Sequence, residues 1–407
     1  MWRTQEPSPY GLLYQALAMK PRTIYPPVKS IALAGLLLTT SGCATLFDSF
    51  INDTTIDPPY AVSDTTGAVH DQLQIVDLHA DPLLWSRDLL ERHSYGHVDL
   101  PRLQEGKTAL QVFGVVTGVP FPIGLENNRD HWDLITLLTQ FQSLPVEVQE
   151  SRLQRALFQA GKLQHSIDAS RQQLMLIRTR RDLEQLVSLR SHGQPVIGAM
   201  LSLEGAHALE REVANLERLH DAGFRMLGLV HHFDNDMAGS AHGVDKYGLT
   251  DKGRALVQLA VQRGIIIDLA HASEQTIDDV VAVIDTPVVA SHGGVRGTCD
   301  TARNLADRHV QAIARSGGVV GIGIYKLATC GKTMADTVRA VRHVVDLVGI
   351  EHVALGTDFD GATETVVDAT GLPLLTEALL ADGFTPAQIR AMMGENAMRV
   401  FRQTLPP

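Results

Sequence analysis

The sequence predicts an α/β protein, a (β/α)8 TIM barrel that forms one domain behind an N-terminal leader. Three observations support this fold class. Eight short apolar runs alternate with longer amphipathic stretches, the pattern of βαβ units whose parallel sheet is buried on both faces. Six of the eight runs end in, or are directly followed by, a histidine or an acidic residue. The length of 407 residues accommodates such a barrel as a single domain.

Residues 1–42 are predicted to be a signal peptide of the lipoprotein type. Basic residues such as Lys20 precede an apolar stretch at 31–38, and small residues then lead directly to Cys43. The apolar stretch is shorter than the roughly 20 residues that cross a bilayer. Cys43 is therefore the predicted lipidation site. A soluble secreted protein remains the alternative, because Thr40 occupies the position where lipoprotein signals usually have leucine.

A lipid on Cys43 makes the membrane a predicted partner and the bacterial cell envelope the predicted location. Ala44 follows the cysteine where an aspartate would favour the inner membrane, so we expect the outer membrane, on its periplasmic side. Nucleic acid is excluded as a partner, because 46 acidic residues outnumber 35 Lys and Arg residues and no basic run is interleaved with aromatic residues.

A tether and a barrel domain are predicted to follow the leader. Residues 43–70 show no helical period and contain many small, polar or turn-forming residues, which is typical of a tether. Residues 71–407 form the single barrel domain, and the segment Leu134–Leu189 has helical spacing that predicts two helices inserted after the second strand. The eight predicted strands are Gln74–His79, Ala109–Val116, Val196–Glu204, Met226–His231, Ile265–His271, Pro287–His292, Val319–Tyr325 and Val353–Asp358.

Candidate functional residues stand at the ends of these strands. The C-terminal mouth of a barrel gathers all strand ends around one cavity, so these side chains are expected to converge there. A single histidine after a strand is more often structural. Seven ionisable groups at six strand ends are not expected by chance, because such groups are seldom buried without partners. They are His79, Asp81, Glu204, His231, His271, His292 and Asp358.

The residue types in this cluster predict a pair of divalent metal ions. Imidazole nitrogens and carboxylate oxygens are good zinc ligands. Two ions about 3.5–4 Å apart can share a water or hydroxide, lower its pKa and polarise a carbonyl group. Glu204 is the predicted bridge. His79 and Asp81 complete one site, and His271 and His292 complete the other.

Seven short motifs follow one another between the first strand and the C-terminus. They are Asp77–Asp81, Glu204–His207, Asp268–Ser273, Ser291–His292, Arg303–Asn304, Gly356–Gly361 and Gly394–Ala397. In order and spacing they resemble the membrane (renal) dipeptidases, metallopeptidase family M19 of the amidohydrolase superfamily, from about residue 70 to the end of the chain. The resemblance implies a barrel of the metal-dependent hydrolase type that holds two zinc ions per chain, bridged by Glu204.

The same resemblance implies two substrate contacts. His231 matches the histidine that contacts the substrate carbonyl and stabilises the tetrahedral intermediate. Arg303 matches the arginine that holds the substrate carboxylate, a role that suits its planar, two-pronged hydrogen-bonding group. A salt bridge from Arg303 to Asp300 or Asp307 is the structural alternative. Tyr325, near the seventh strand, is a further predicted substrate-binding residue.

Asp358 matches the family's acid/base, which takes a proton from the attacking water and passes it to the leaving amine. Asp360 is its competitor, and we assign that residue to a structural turn. His232 competes with His231, which the family register favours because it directly follows the strand. The loop His232–Asp236 departs from the family pattern beside the substrate pocket, so the sequence does not predict a side-chain preference.

Cys299 and Cys330 are the cysteines that remain after Cys43. An even pair in an exported chain is compatible with a disulfide in an oxidising compartment, and two separate buried thiols are the alternative. The family resemblance implies the bridge, between the loop after the sixth strand and the segment after the seventh.

The predicted function is zinc-dependent hydrolysis of dipeptides, L,L and potentially L,D, by a hydroxide that the two metals share. One alternative is a dimetal amidohydrolase that acts on another amide or a lactam. Another is a catalytically silent envelope lipoprotein, against which the complete set of ligands argues. A homodimer is expected by analogy with the related enzymes.

Overall fold

Eight parallel strands form a closed barrel in the computed structural model, which describes residues 47–407. Each strand pairs with the next one along the chain, and the last strand pairs with the first, where Asp77 lies opposite Leu355. The predicted fold class is confirmed. The strands are β1 Ile75–Ala80, β2 Thr108–Val116, β3 Ile197–Glu204, β4 Phe224–Gly228, β5 Ile266–Asp268, β6 Val289–Ala290, β7 Val319–Ile322 and β8 Val353–Leu355.

Apolar side chains fill the barrel away from the C-terminal ends of the strands. Every residue of β1 to β8 is buried, as expected for a parallel sheet covered on both faces. At least one residue from each strand joins a single apolar cluster with Met398 and Phe401 of the last helix. The strand residues of this cluster are Val76, Leu78, Leu110, Val112, Met200, Met226, Ile266, Val289, Val319 and Ala354. The predicted functional side chains lie at the opposite end of the barrel.

The strands end earlier than the sequence predicts. The predicted strands four to eight run on to His231, His271, His292, Tyr325 and Asp358, whereas β4 to β8 end two to three residues before these positions. His271 and Asp358 have φ angles of 62° and 61°, a left-handed conformation that cannot continue a strand. The functional side chains therefore lie on the loops that leave the barrel, as active-site residues of this fold do.

Helices surround the barrel. They are Asp64–His70, Leu100–Glu105, Leu134–Phe141, Val146–Glu150, Arg152–Ala169, Arg180–Ser191, Asn215–Asp221, Asp251–Gln262, Glu274–Val283, Asp307–Arg315, Lys326–Thr329, Met334–Val348, Leu372–Ala381, Pro386–Arg390 and Asn396–Thr404. Within residues 47–407, no helix has both the length and the apolar character needed to cross a membrane.

The insertion after β2 is more divided than predicted. Two helices are expected between Leu134 and Leu189, but the structure has four, together with a short strand Leu174–Leu176 that pairs with β3. Pro145 caps one new helix, and the Ser151 side chain caps the next by accepting a hydrogen bond from the N–H of Gln154. Such capping residues end one helix and start another.

Residues 47–70 differ from the predicted tether. Residues 1–46, which include the predicted signal peptide and Cys43, lie outside the described residues. Asp64–His70 is a helix that the Ser63 side chain caps. Asp48 forms a buried ion pair with Arg87, with 2.8 Å between Oδ2 and Nε. A charge buried in this way requires a fixed partner, so this stretch packs on the barrel instead of hanging free.

The predicted disulfide is present. Cys299 and Cys330 are bonded, with their Cα atoms 5.3 Å apart. The bridge joins the loop after β6 to the segment after β7, as the family resemblance implies.

Candidate active site

The five predicted metal ligands converge at the C-terminal end of the barrel. Glu204 is central, because its Oε1 lies 3.1 Å from His271 Nε2 and 3.4 Å from His292 Nε2. The same oxygen lies 3.6 Å from His79 Nε2, which is itself 3.3 Å from Asp81 Oδ1. All five side chains are buried. One carboxylate oxygen therefore faces the imidazoles of three predicted ligands, which lie on β1 and on the loops after β5 and β6.

This donor set fits divalent metal ions. Three buried atoms of this cluster have no hydrogen-bond partner within the described part of the chain. They are both ring nitrogens of His79 and Oδ1 of Asp81. A buried polar atom without a partner costs about 1–3 kcal/mol, which a bound cation would remove. Gly114 on β2 makes room for these ligands, since a Cβ there would lie 2.1 Å from Asp81 Oδ1. Larger residues at position 114 are thus incompatible with the cluster.

Ser291 and Asp268 orient one of the histidines. The Ser291 hydroxyl donates to Asp268 Oδ2 at 2.5 Å and lies 2.8 Å from His292 Nδ1. Because its hydrogen is given to Asp268, the hydroxyl accepts from the Nδ1–H of His292. The Nε2 atom of His292 then carries a free lone pair that points toward Glu204. Such hydrogen bonds behind a histidine fix its tautomer and its orientation for metal binding.

His242 has the corresponding role for His271, and sequence analysis missed it. Its Nδ1 lies 2.7 Å from the carbonyl oxygen of Leu125, which can only accept, so Nδ1 carries the proton. Burial and then the charge of Arg303 lower the pKa of His242 to about 4, so the ring is neutral at pH 7. Its Nε2 therefore accepts from His271 Nδ1, 3.0 Å away. His271 Nε2 is left free to bind a metal.

The predicted acid/base and carbonyl contact lie beside the ligands. Oxygen and nitrogen atoms of Asp358, His79 and Asp81 lie within 4.8 Å of one another. Burial raises the pKa of Asp358 well above its usual value, and the carboxylates of Asp81 and Glu204 raise it further. His231 Nε2 lies 3.6 Å from Glu204 Oε1. Burial lowers the pKa of His231 well below its usual value, so it is a neutral hydrogen-bonding group there.

Arg303 and Tyr325 line the same cavity as the ligands. Arg303 donates a hydrogen bond to the carbonyl oxygen of His292 at 2.7 Å. Asp307, an alternative partner that the sequence leaves open for Arg303, instead lies 2.7 Å from His343 Nε2. The guanidinium is thereby held next to His292, a predicted metal ligand, while it lines the cavity.

Asp360 is structural, but not through the turn expected from the sequence. Its carboxylate lies 2.7 Å from the Arg87 guanidinium and accepts hydrogen bonds from the N–H groups of His97 and Val98 at 2.7 and 3.1 Å. Both carboxylate oxygens of Asp360 are therefore bonded to groups outside the ligand cluster. This leaves Asp358 as the carboxylate of this loop that lies beside the predicted ligands His79 and Asp81.

A cavity of about 540 Å³ leads to the ligands. Its polar lining near the ligands consists of Asp81, Glu204, His231, His232, His242, His271, His292, Arg303, Tyr325 and Asp358. Its walls are largely apolar and come mostly from three places that the sequence did not connect with the site, besides Leu327 and the loop 361–364. The three places are the segment 47–53, the residues Leu84 and Trp85 after β1, and the segment between β2 and Phe141. Cavities of this size and character are typical small-molecule sites.

Comparisons with known proteins agree with this geometry. Residues 63–405 match the family model for membrane dipeptidases, peptidase family M19. The chain is 26% identical to the dipeptidase aclJ of Aspergillus oryzae, over 81% of this chain and 78% of that protein. It is 31% identical to an uncharacterized protein in the pqqA 5′ region of Klebsiella pneumoniae, over 52% of this chain and 84% of that protein.

Among solved structures, the chain is similar to a metallopeptidase from Rhodobacter sphaeroides bound to a phosphinate mimic of the dipeptide L-Ala-D-Ala. The TM-score is 0.68 at 28% identity, and the match covers 82% of this chain and 99% of the other. A second solved structure, the probable dipeptidase PvdM of Pseudomonas aeruginosa, has a TM-score of 0.69 at 19% identity and supports the fold.

Proposed function

Because the chain belongs to the membrane dipeptidases, peptidase family M19, and is a metallo-dipeptidase, we propose that it hydrolyses the single peptide bond of free dipeptides with the help of two zinc ions. One observation carries this proposal. Four buried donor groups surround Glu204, and an arginine that can bind a carboxylate lines the same cavity. The site therefore combines metal ligands with a group that recognises a free C-terminus.

The ligands divide into two sets that share Glu204. His79 and Asp81 would hold one zinc ion, and His271 and His292 would hold the other. Bound zinc lowers the pKa of water and polarises a carbonyl group. The bridging carboxylate keeps the two sets together, and Ser291 and His242 hold the imidazoles with Nε2 free.

The remaining groups act on the substrate. Arg303 binds the α-carboxylate through two charge-assisted hydrogen bonds, which places the peptide carbonyl above Glu204. His231 lies beside Glu204 and donates an N–H to the oxygen of that carbonyl as its negative charge grows. Asp358 accepts a proton from the attacking water and delivers it to the amine that leaves. The last peptide bond of a tripeptide is as close to the carboxylate as the peptide bond of a dipeptide, so selection of dipeptides depends on the cavity wall that meets the N-terminal residue.

The substrate range includes L,D dipeptides in this proposal. The support is the Rhodobacter sphaeroides relative, whose structure contains a mimic of L-Ala-D-Ala. Recognition through the carboxylate alone does not depend on the configuration of the residue that carries it.

Amine release from a panel of L,L and L,D dipeptides, with matched tripeptides and dipeptide amides, tests the proposal on the zinc-loaded full chain. We expect turnover only of dipeptides with a free carboxylate. Arg303→Met is expected to raise KM by at least about tenfold for these substrates, because it removes the charge-assisted hydrogen bonds. Arg308→Met is the control, since Arg308 pairs with Glu274 and Asp278 on the surface. Inactivity of protein shown to hold two metals would instead indicate another amide or a lactam as the substrate.

We also propose that Cys43 carries a lipid that anchors the protein in the cell envelope, facing the periplasm from the outer membrane. The support is the basic, apolar and small-residue order before Cys43. Growth with a radiolabelled fatty acid is expected to label the wild-type protein and not Cys43→Ser. An unlabelled wild-type protein found in the soluble fraction would contradict the lipid anchor.

A further inference from the structure

Large apolar side chains are concentrated at the mouth of the active-site cavity. Nine large hydrophobic residues of the described chain are exposed, and five of them line this one cavity. Single exposed hydrophobic residues are normal on a protein surface, whereas a group around one opening indicates a binding surface. We call this group the apolar rim, and it consists of Phe47, Phe50, Leu125, Leu137 and Phe141.

The apolar surface continues from the rim to the reacting groups. Leu84 and Trp85 line the cavity just after the ligand Asp81, and Trp85 is held by a hydrogen bond of 2.7 Å from its Nε1 to the carbonyl oxygen of Asp360. Val116 and Leu138 line it on the side of β2. A substrate side chain that extends from the predicted ligands toward the cavity mouth on this side would thus contact apolar side chains.

Part of the rim belongs to a segment outside the family match. Phe47 and Phe50 lie on residues 47–56, whereas the family model begins at residue 63. This segment is fixed to the barrel by the buried Asp48–Arg87 pair. The N–H groups of Thr55 and Ile56 donate to the carbonyl oxygens of Thr365 and Val366 at 2.8 and 3.0 Å. The two phenylalanines are therefore held in place over the cavity.

The position of Arg303 decides which end of a dipeptide meets this surface. Arg303 follows β6, whereas Leu84 and Trp85 follow β1, and the segment up to Phe141 follows β2. Around the barrel, β8 and β7 separate β1 from β6, and three strands separate β2 from β6. The apolar side of the cavity is therefore opposite Arg303. A dipeptide whose carboxylate is bound by Arg303 directs its N-terminal residue away from the arginine and toward this side.

We propose that the apolar rim and the wall below it bind the side chain of the N-terminal residue, and that the enzyme prefers dipeptides whose N-terminal side chain is large and apolar. This inference rests on the proposed dipeptidase function. The free energy comes from removing the substrate side chain and the exposed rim from water. Phe47 and Phe50 make the segment before the family domain part of the substrate site.

Pairs of dipeptides with the same composition and opposite order test the proposal on the zinc-loaded full chain. Phe-Gly against Gly-Phe, and Leu-Gly against Gly-Leu, keep overall hydrophobicity constant. We expect kcat/KM to be at least about tenfold higher for Phe-Gly and Leu-Gly, the discrimination that an apolar pocket achieves. The double variant Phe50→Ser, Phe141→Ser is expected to lose most of this ratio. Trp132→Ser is the control, because Trp132 is 81% exposed and does not line the cavity.

The outcomes separate this inference from the dipeptidase function. Hydrolysis of all four dipeptides without a preference for order overturns the inference alone, as does a ratio that survives the double variant. If the double variant changes the oligomeric state and leaves the ratio intact, the rim is a contact between copies of the chain and the inference falls. If no dipeptide is hydrolysed, the proposed function itself fails.

Discussion

Replacing Asp358 with asparagine is expected to lower kcat by about 10²- to 10⁴-fold, the contribution of a well-placed acid/base group. Asparagine has nearly the same shape as aspartate, but its amide cannot take up a proton and pass it to the leaving amine. Asp358 is held over the ligands by its left-handed backbone, with a φ of 61°, and by a hydrogen bond of 3.1 Å from its N–H to the carbonyl oxygen of His79. The backbone contact does not depend on the side chain, so the variant keeps its fold.

Metal content and kinetics have to be measured on the same preparation. We expect Asp358→Asn to hold as much metal as the wild type and to keep a similar KM, because Arg303 binds the substrate. Asp346→Asn is the matched control, since Asp346 is exposed on the helix Met334–Val348. Wild-type kcat in Asp358→Asn, or a loss of metal that equals the loss of rate, would exclude the acid/base role.

The sequence alone brings the candidate metal ligands together because their signal is local. Glu204 and His79 each follow an apolar run long enough to be a barrel strand, and the fold brings the ends of such strands together. Only the order of the strands is needed for that step, not the exact place where each one ends. The predicted strand ends are wrong by a few residues at His271 and Asp358. A left-handed backbone conformation cannot continue a strand there, and the hydrophobic pattern of the sequence does not reveal that conformation.

The walls of the cavity could not be predicted in the same way. The segment 47–56 is fixed by Asp48 and Arg87, which are 39 residues apart in the chain and meet only in the folded protein. A composition of small and polar residues is equally compatible with a free tether and with a strip of chain that packs on a barrel. His242 lies in a loop without a repeating pattern, and its partner His271 comes 29 residues later. Tertiary contacts of this kind have no counterpart in local sequence.

His242 therefore provides a test of what the structure adds to the sequence. Replacing His242 with leucine is expected to weaken zinc binding by about 10- to 100-fold, the usual effect of removing a hydrogen-bond partner behind a metal ligand. Without an acceptor on His242, the Nδ1–H of His271 loses its partner and the ring no longer has a fixed orientation. The proton can then move to Nε2, the atom that has to bind the metal. The affinity falls although no ligand has been changed.

His242→Gln distinguishes this role from simple packing. Its side-chain oxygen can accept from His271 Nδ1, and its amide N–H can donate to the carbonyl oxygen of Leu125, as His242 does in the wild type. We expect zinc affinity, measured by competition with a chelator, to be largely restored in His242→Gln and to remain weak in His242→Leu. Equal affinities for the wild type and His242→Leu would show that the ligand is oriented without this contact. Equal weakening in both variants would indicate that the imidazole ring matters for its shape instead of its hydrogen bonds.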